Sequence, residues 1–180
     1  MQHPSRASVL ARHLMDLIAE EIPCERHLVE LGQVAPQLAG SVHRSGVADA
    51  VERQLAMVER ADVLVVATPV YRGAYTGLFK HFFDLIHQDA LVDKPVLLAA
   101  TGGSERHALV IDHQLRPLFS FFEARTLPLG VYATDKDFVD HRLHDEALIQ
   151  RARLAVRRAL PLVEQARNAI PFPAVEVVAA

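Results

Sequence analysis

Apolar residues first recur at helical spacing over residues 5–22. Val9, Leu10, Leu14, Leu17 and Ile18 form one stripe with His13 among them, and Pro23 stops it. His27-Leu28-Val29-Glu30-Leu31 follows as a short strand ended by Gly32. Residues 34–45, with Pro36 and Gly40, read as a loop, and residues 46–60 as a polar surface helix. Asp62-Val63-Leu64-Val65-Val66-Ala67 is a continuous β-branched run, the pattern of a strand covered on both faces. Residues 77–87 predict a third helix and Pro95-Val96-Leu97-Leu98-Ala99-Ala100 a second buried strand. Residues 105–123 predict a fourth helix, 126–132 a further strand, and 141–168 a charged final helix. The apolar segment 171–180 has no assignment; docking on a neighbouring subunit and disorder are both open for it.

Strands alternating with helices imply crossover connections and an open parallel sheet. Ligands of such sheets sit outside the carboxyl ends of the strands. That places the interest on the residues after Ala67 and after Ala100. The first loop is Thr68-Pro69-Val70-Tyr71-Arg72-Gly73-Ala74-Tyr75-Thr76-Gly77. Pro69 ends the strand, Val70 and Tyr71 are large and apolar in a loop, and two glycines permit close backbone approach. A wall for a flat aromatic ligand and an ordinary turn whose tyrosine covers the core are both open for it. The second loop, Thr101-Gly102-Gly103-Ser104, leads into a helix. Its N–H groups favour negative charge, such as an anionic edge that develops on a bound ligand during reaction. A Gly-Gly pair also suits a plain tight turn.

Within the fourth helix, Pro117 has no N–H to give the carbonyl of His113. A bond from Leu118 N–H would make a π-bulge; a simple kink is the alternative. Leu78, Phe79, Phe82, Phe83, Leu85 and Ile86 cover nearly the whole circumference of the third helix, which predicts burial on several sides and therefore an oligomer.

The 180 residues fit a single domain spanning 1–180, and an apolar fraction of 51% supplies a generous core. A net charge of −3 is too mild for a nucleic-acid surface. Cys24 is the single cysteine, so no internal disulfide is possible, as in a reducing compartment. With no apolar run near membrane-span length and no signal peptide, the expected location is the cytoplasm, away from the membrane. The ten histidines include the pairs His141/His144 and His81/His87, but no cysteine or carboxylate cluster completes a site, so no metal is expected. Asp135, Asp137 and Asp140 form a polar loop read as solvated, though near enough to border a ligand. The arginines of the final helix read as a solvated face. Neither GxGxxG nor GxxxxGK[ST] occurs.

Taken together, several stretches resemble the NAD(P)H-dependent FMN reductases of two-component sulfonate monooxygenase systems. They are Pro4-Ser5-Arg6, Ala67 to Tyr71 through Gly77, Ala100 to Ser104, Ile111-Asp112-His113 with Arg116-Pro117, and Gly130-Val131-Tyr132-Ala133. The resemblance implies a flavodoxin-like doubly wound sheet. Ser5, Arg6 and Ser8 would hold the FMN phosphate; Pro69, Val70, Tyr71 and Arg72 would line the isoalloxazine; Thr101, Gly102, Gly103 and Ser104 would hold its pyrimidine end. It further implies NADPH or NADH as hydride donor, a flavin-dependent monooxygenase as partner, and a homo-oligomer, a tetramer or else a dimer. His113 and Pro117 would lie on a π-helix at that interface, and histidine at this place aligns the chain with the methanesulfonate relatives. No catalytic acid, base or nucleophile is required. A tight-FMN quinone, azo or chromate reductase and a non-enzymatic flavodoxin-like carrier or inactive truncated subunit are the alternatives.

Members of that family begin with an apolar strand and a Gly-Ser turn. Here Met1 falls inside that turn. The first, central strand of the sheet is therefore expected to be missing, leaving unpaired edges in mid-sheet. A translation start further upstream is the favoured explanation; a trimmed or truncated chain are the others.

Overall fold

The computed structural model describes residues 5–169 and 174–179. α1 (Arg6–Glu21) starts where Ser5, in extended conformation, accepts the Ser8 N–H with its side chain. β1 (Glu25–Glu30) follows and runs directly into α2 (Leu31–Ala39). The sequence pattern instead predicts a strand running to Leu31 and a loop over 34–45. Pro36 lies inside α2, yet Leu31 and Leu38 bury completely on one face, and this burial outweighs the lost N–H. α3 (Asp49–Arg60) carries acidic residues in its first turn and Arg60 in its last, matching the helix dipole.

β2 (Val63–Pro69), α4 (Gly77–Asp84) and β3 (Pro95–Gly102) form where the sequence places them. The expected fourth helix is broken into a 3₁₀ turn (Glu105–His107), a π-helix (Ile111–Leu115) and α5 (Arg116–Phe121). The wide turn comes slightly earlier than expected: Arg116 N–H donates to Ile111 O, and Pro117 sits in the first turn of α5, where its missing N–H costs least. The expected strand over 126–132 is two short pieces, β4 (Arg125–Thr126) and β5 (Val131–Thr134), pairing with opposite ends of β3. A hairpin, β6 (Phe138–Val139) and β7 (Arg142–Leu143), precedes α6 (Glu146–Ala169). Asp140 and His141 at its tip both have left-handed φ, as a two-residue hairpin of this hand requires.

The last described strand, β8 (Ala174–Ala179), corrects two expectations. It neither docks elsewhere nor leaves the sheet centre open. The order is β1-β8-β2-β3-β4, with β5 also on β3, so β8 lies between β1 and β2 and is parallel to both. This is the 2-1-3-4-5 arrangement with its central place taken by the C-terminal strand. Val175, Val177 and Ala179 pack beneath α1 and α6, while Val178 joins the opposite core under α3, α4 and the π-helix. α4 needs no second subunit to cover it: Phe79, Phe82 and Phe83 are buried within the chain. No helix among the described residues is long and apolar enough to cross a membrane.

Candidate functional site

At the carboxyl edge of the sheet lies a cleft of about 510 Å³, lined by Ser5, Arg6 and Ala7 at the start of α1, Pro69, Val70 and Tyr71 at the end of β2 and just beyond, and Thr101, Gly102 and Gly103 at the end of β3. Its far side is Asp135, Phe138, Asp140 and His141. The size suits a bound cofactor.

The two strand-end loops form one continuous floor. Val70 N–H donates to Thr101 O at 2.7 Å, extending the β2–β3 ladder past Pro69. Tyr71 and Ala74 exchange backbone bonds, and Arg72 and Gly73 between them take positive φ. Thr76 caps α4 by accepting Phe79 N–H. The tight turn leaves Tyr71 57% exposed at the cleft rather than covering the core.

Gly102 is required for a specific reason. A Cβ there would fall 2.3 Å from the Tyr132 Oη and 3.6 Å from Val70 Cβ. Tyr132, from β5, stands under the loop and donates its O–H to Ser104 O at 2.7 Å. Burial, and secondarily Asp135, push its phenol above the ordinary value, so it remains a donor. A Cβ on Gly103 would meet nothing within 4 Å, so the loop's outer backbone faces open space.

At the other end, Arg6 Nη1 pairs with Asp135 Oδ1 at 3.0 Å. Asp135 opens a 3₁₀ turn held by buried Asp137, whose carboxylate accepts Thr134 N–H (2.6 Å) and Thr134 O–H (2.8 Å). Lys136 turns outward to Glu105, which lies just after the glycine loop.

Most of the residues expected at a flavin site thus meet in one cleft: Ser5, Arg6, Pro69, Val70, Tyr71, Thr101, Gly102 and Gly103. Three stand back from it. Ser8 is buried behind Ser5, with the two hydroxyls 2.9 Å apart. Arg72 is exposed on the turn, and Ser104 uses its carbonyl to hold Tyr132. Asp135 and Asp140, read as solvated, line the cleft, together with Phe138 and His141. Their signal in the sequence was an aspartate-rich stretch immediately after a strand. His113 and Pro117 lie away from this cleft, in a separate, more apolar groove with Tyr75, Phe83, Leu118 and Phe121.

The donor set fits FMN on these observations. An apolar wall and open glycine backbone face one end, and a hydroxyl and a guanidinium at a helix start face the other.

A parallel sheet in this order, with such a cleft at its carboxyl edge, defines a flavodoxin-like flavin-binding oxidoreductase. The chain belongs to the NADPH-dependent FMN reductase family, whose model matches residues 1–139. It is 58% identical over 159 residues to the NADH-dependent FMN reductase SfnE of Pseudomonas putida, covering 88% of this chain and 86% of that protein. An FMN reductase (NADPH) of Pseudomonas aeruginosa is 52% identical over the same length, covering 88% and 86%. Among solved structures, an oxidoreductase from Corynebacterium diphtheriae superposes with a TM-score of 0.78 at 31% identity, covering 92% of each chain.

Proposed function

We propose that this enzyme moves hydride from NADH or NADPH to FMN and passes the reduced flavin to a separate flavin-dependent monooxygenase in sulfonate-sulfur assimilation. The observation that carries the reading is the cleft, in which the β2-end wall, the β3-end glycines and the Ser5-Arg6 helix start face one another. FMN, when bound, supplies the hydride acceptor.

The chain's own residues bind, orient and shield. Pro69, Val70 and Tyr71 give a flat face against which aromatic rings pack. The backbone of Gly102 and Gly103 offers N–H donors where negative charge develops. Ser5 and Arg6 take the phosphate. No general acid, base or nucleophile is needed. The open cleft and half-exposed Arg6 suit a flavin that comes and goes.

The same reading places the enzyme in the cytoplasm as a homotetramer. Phe121 is 69% exposed, and with the groove around His113, Pro117 and Leu118 it forms an apolar face for a second copy.

Steady-state NAD(P)H oxidation with and without free FMN tests the proposal. Oxidation that rises with added FMN supports it. Flavin retained through gel filtration, with no response to added FMN, would instead indicate a reductase with a resident flavin. Absence of any oxidation overturns it.

A further inference from the structure

The cleft's positive end is already partnered. Arg6 is the only arginine or lysine among the described residues lining it, and its guanidinium is bound to Asp135. A second carboxylate, Asp140, lines the same cleft from the hairpin tip. Asp135 is not on a loose loop. The buried Asp137 carboxylate fixes the turn that begins at Asp135, through the Thr134 N–H and hydroxyl. Lys136, the nearest further cation in sequence, is engaged with Glu105. A dianionic phosphate arriving at Ser5-Arg6 must therefore share the guanidinium with Asp135 or displace it, with Asp140 adding like-charge repulsion.

We propose that Asp135 is a built-in competitor for the flavin phosphate at Arg6, tuning FMN to be readily released. This deepens the function proposed above and rests on it. The argument separates the two ends of the ligand. The apolar wall and glycine loop act on the ring, which riboflavin shares with FMN. Asp135 acts only on the phosphate, which riboflavin lacks.

The test is titration of Asp135→Asn and the wild type with FMN and with riboflavin, followed by flavin fluorescence. Both pair members are half exposed, so the effect is moderate: FMN should bind the variant about three- to tenfold more tightly. Riboflavin affinity should stay the same, and the FMN gain should shrink as salt is added. In an Arg6→Ala background most of that gain should disappear, leaving only the smaller relief of like-charge repulsion on the phosphate. Unchanged or weaker FMN binding by Asp135→Asn overturns the proposal, as does an equal gain for riboflavin. A parallel arm uses inorganic phosphate alone, read by thermal shift. Phosphate should stabilise Asp135→Asn more than the wild type. If neither flavin binds any form, the flavin-reductase reading fails, and the phosphate arm alone decides whether Asp135 competes at Arg6.

Discussion

β2 and β8 lie side by side in the middle of the sheet, and Val65 of one pairs with Val177 of the other. Both valines are fully buried in the same core. β2 is apolar from Val63 to Ala67, its one buried polar side chain, Thr68, is hydrogen-bonded, and it ends in the cleft wall. β8 carries Glu176, 2% exposed, with Oε2 lacking a hydrogen-bond partner among the described residues. Equal burial thus hides unequal fit. One strand buries no charge; the other keeps its packing against the cost of a buried acid.

The sharpest way to expose that inequality is pH. Burial raises the Glu176 pKa to about 7, against the opposing influence of His27, Arg60 and Lys94, while Glu25 pushes it further up. A carboxyl raised on folding contributes stability that is fully present below its ordinary value of 4.5 and lost as pH climbs to about 7. At about 1.4 kcal/mol per unit the loss approaches roughly 3 kcal/mol. Glu176→Gln should flatten this slope in denaturant unfolding measured at several pH values. A wild type equally stable from acid to neutral pH would break the comparison.

Next in size is the valine pair. Val65→Ala and Val177→Ala should each cost about 2 kcal/mol if β8 unfolds with the rest of the domain. A much smaller cost at Val177 in chemical denaturation would show β8 to be a separately opening unit.

Smaller again are changes at the cleft. Gly102→Ala places a methyl against the Tyr132 phenol, breaks its bond to Ser104 and should weaken FMN binding about tenfold. Tyr132→Phe removes the clashing atom and forfeits about 1 kcal/mol of hydrogen bonding. The double variant should therefore bind FMN better than the sum of the single effects predicts, as read by fluorescence titration. Least of all, Lys136→Ala should leave the melting temperature unchanged, because its pair with Glu105 is fully exposed.

The contrast between β2 and β8 also marks what the sequence made legible. β2 and β3 announce themselves through unbroken β-branched runs, and their loops through proline and glycine at the strand ends. The family motifs then assembled most of the cleft. β8 escaped for two reasons. Its Val-Glu-Val-Val pattern interrupts an apolar run with a charge, and its partners lie more than a hundred residues away, a pairing local periodicity does not encode. α2 is not legible because Pro36 and Gly40 mark a loop locally, whereas the burial of Leu31 and Leu38 on one face exists only in the folded chain. Asp135 and Asp140 looked solvated because only the folded sheet edge brings them opposite Arg6 and the glycine loop.

The placement of β8 also has a consequence for how the chain acquires its shape. Glu25 pairs with Ala174, so the centre of the sheet is closed by the strand the ribosome makes last among those described. Until it arrives, β1 and β2 present unsatisfied edges to each other and to neighbouring chains. Contacts of such long sequence separation slow folding, and the waiting edges expose the nascent protein to aggregation. The rate at which the last strand inserts, rather than the speed of forming α1 or the β2–β3 pair, should set the yield of folded enzyme during synthesis.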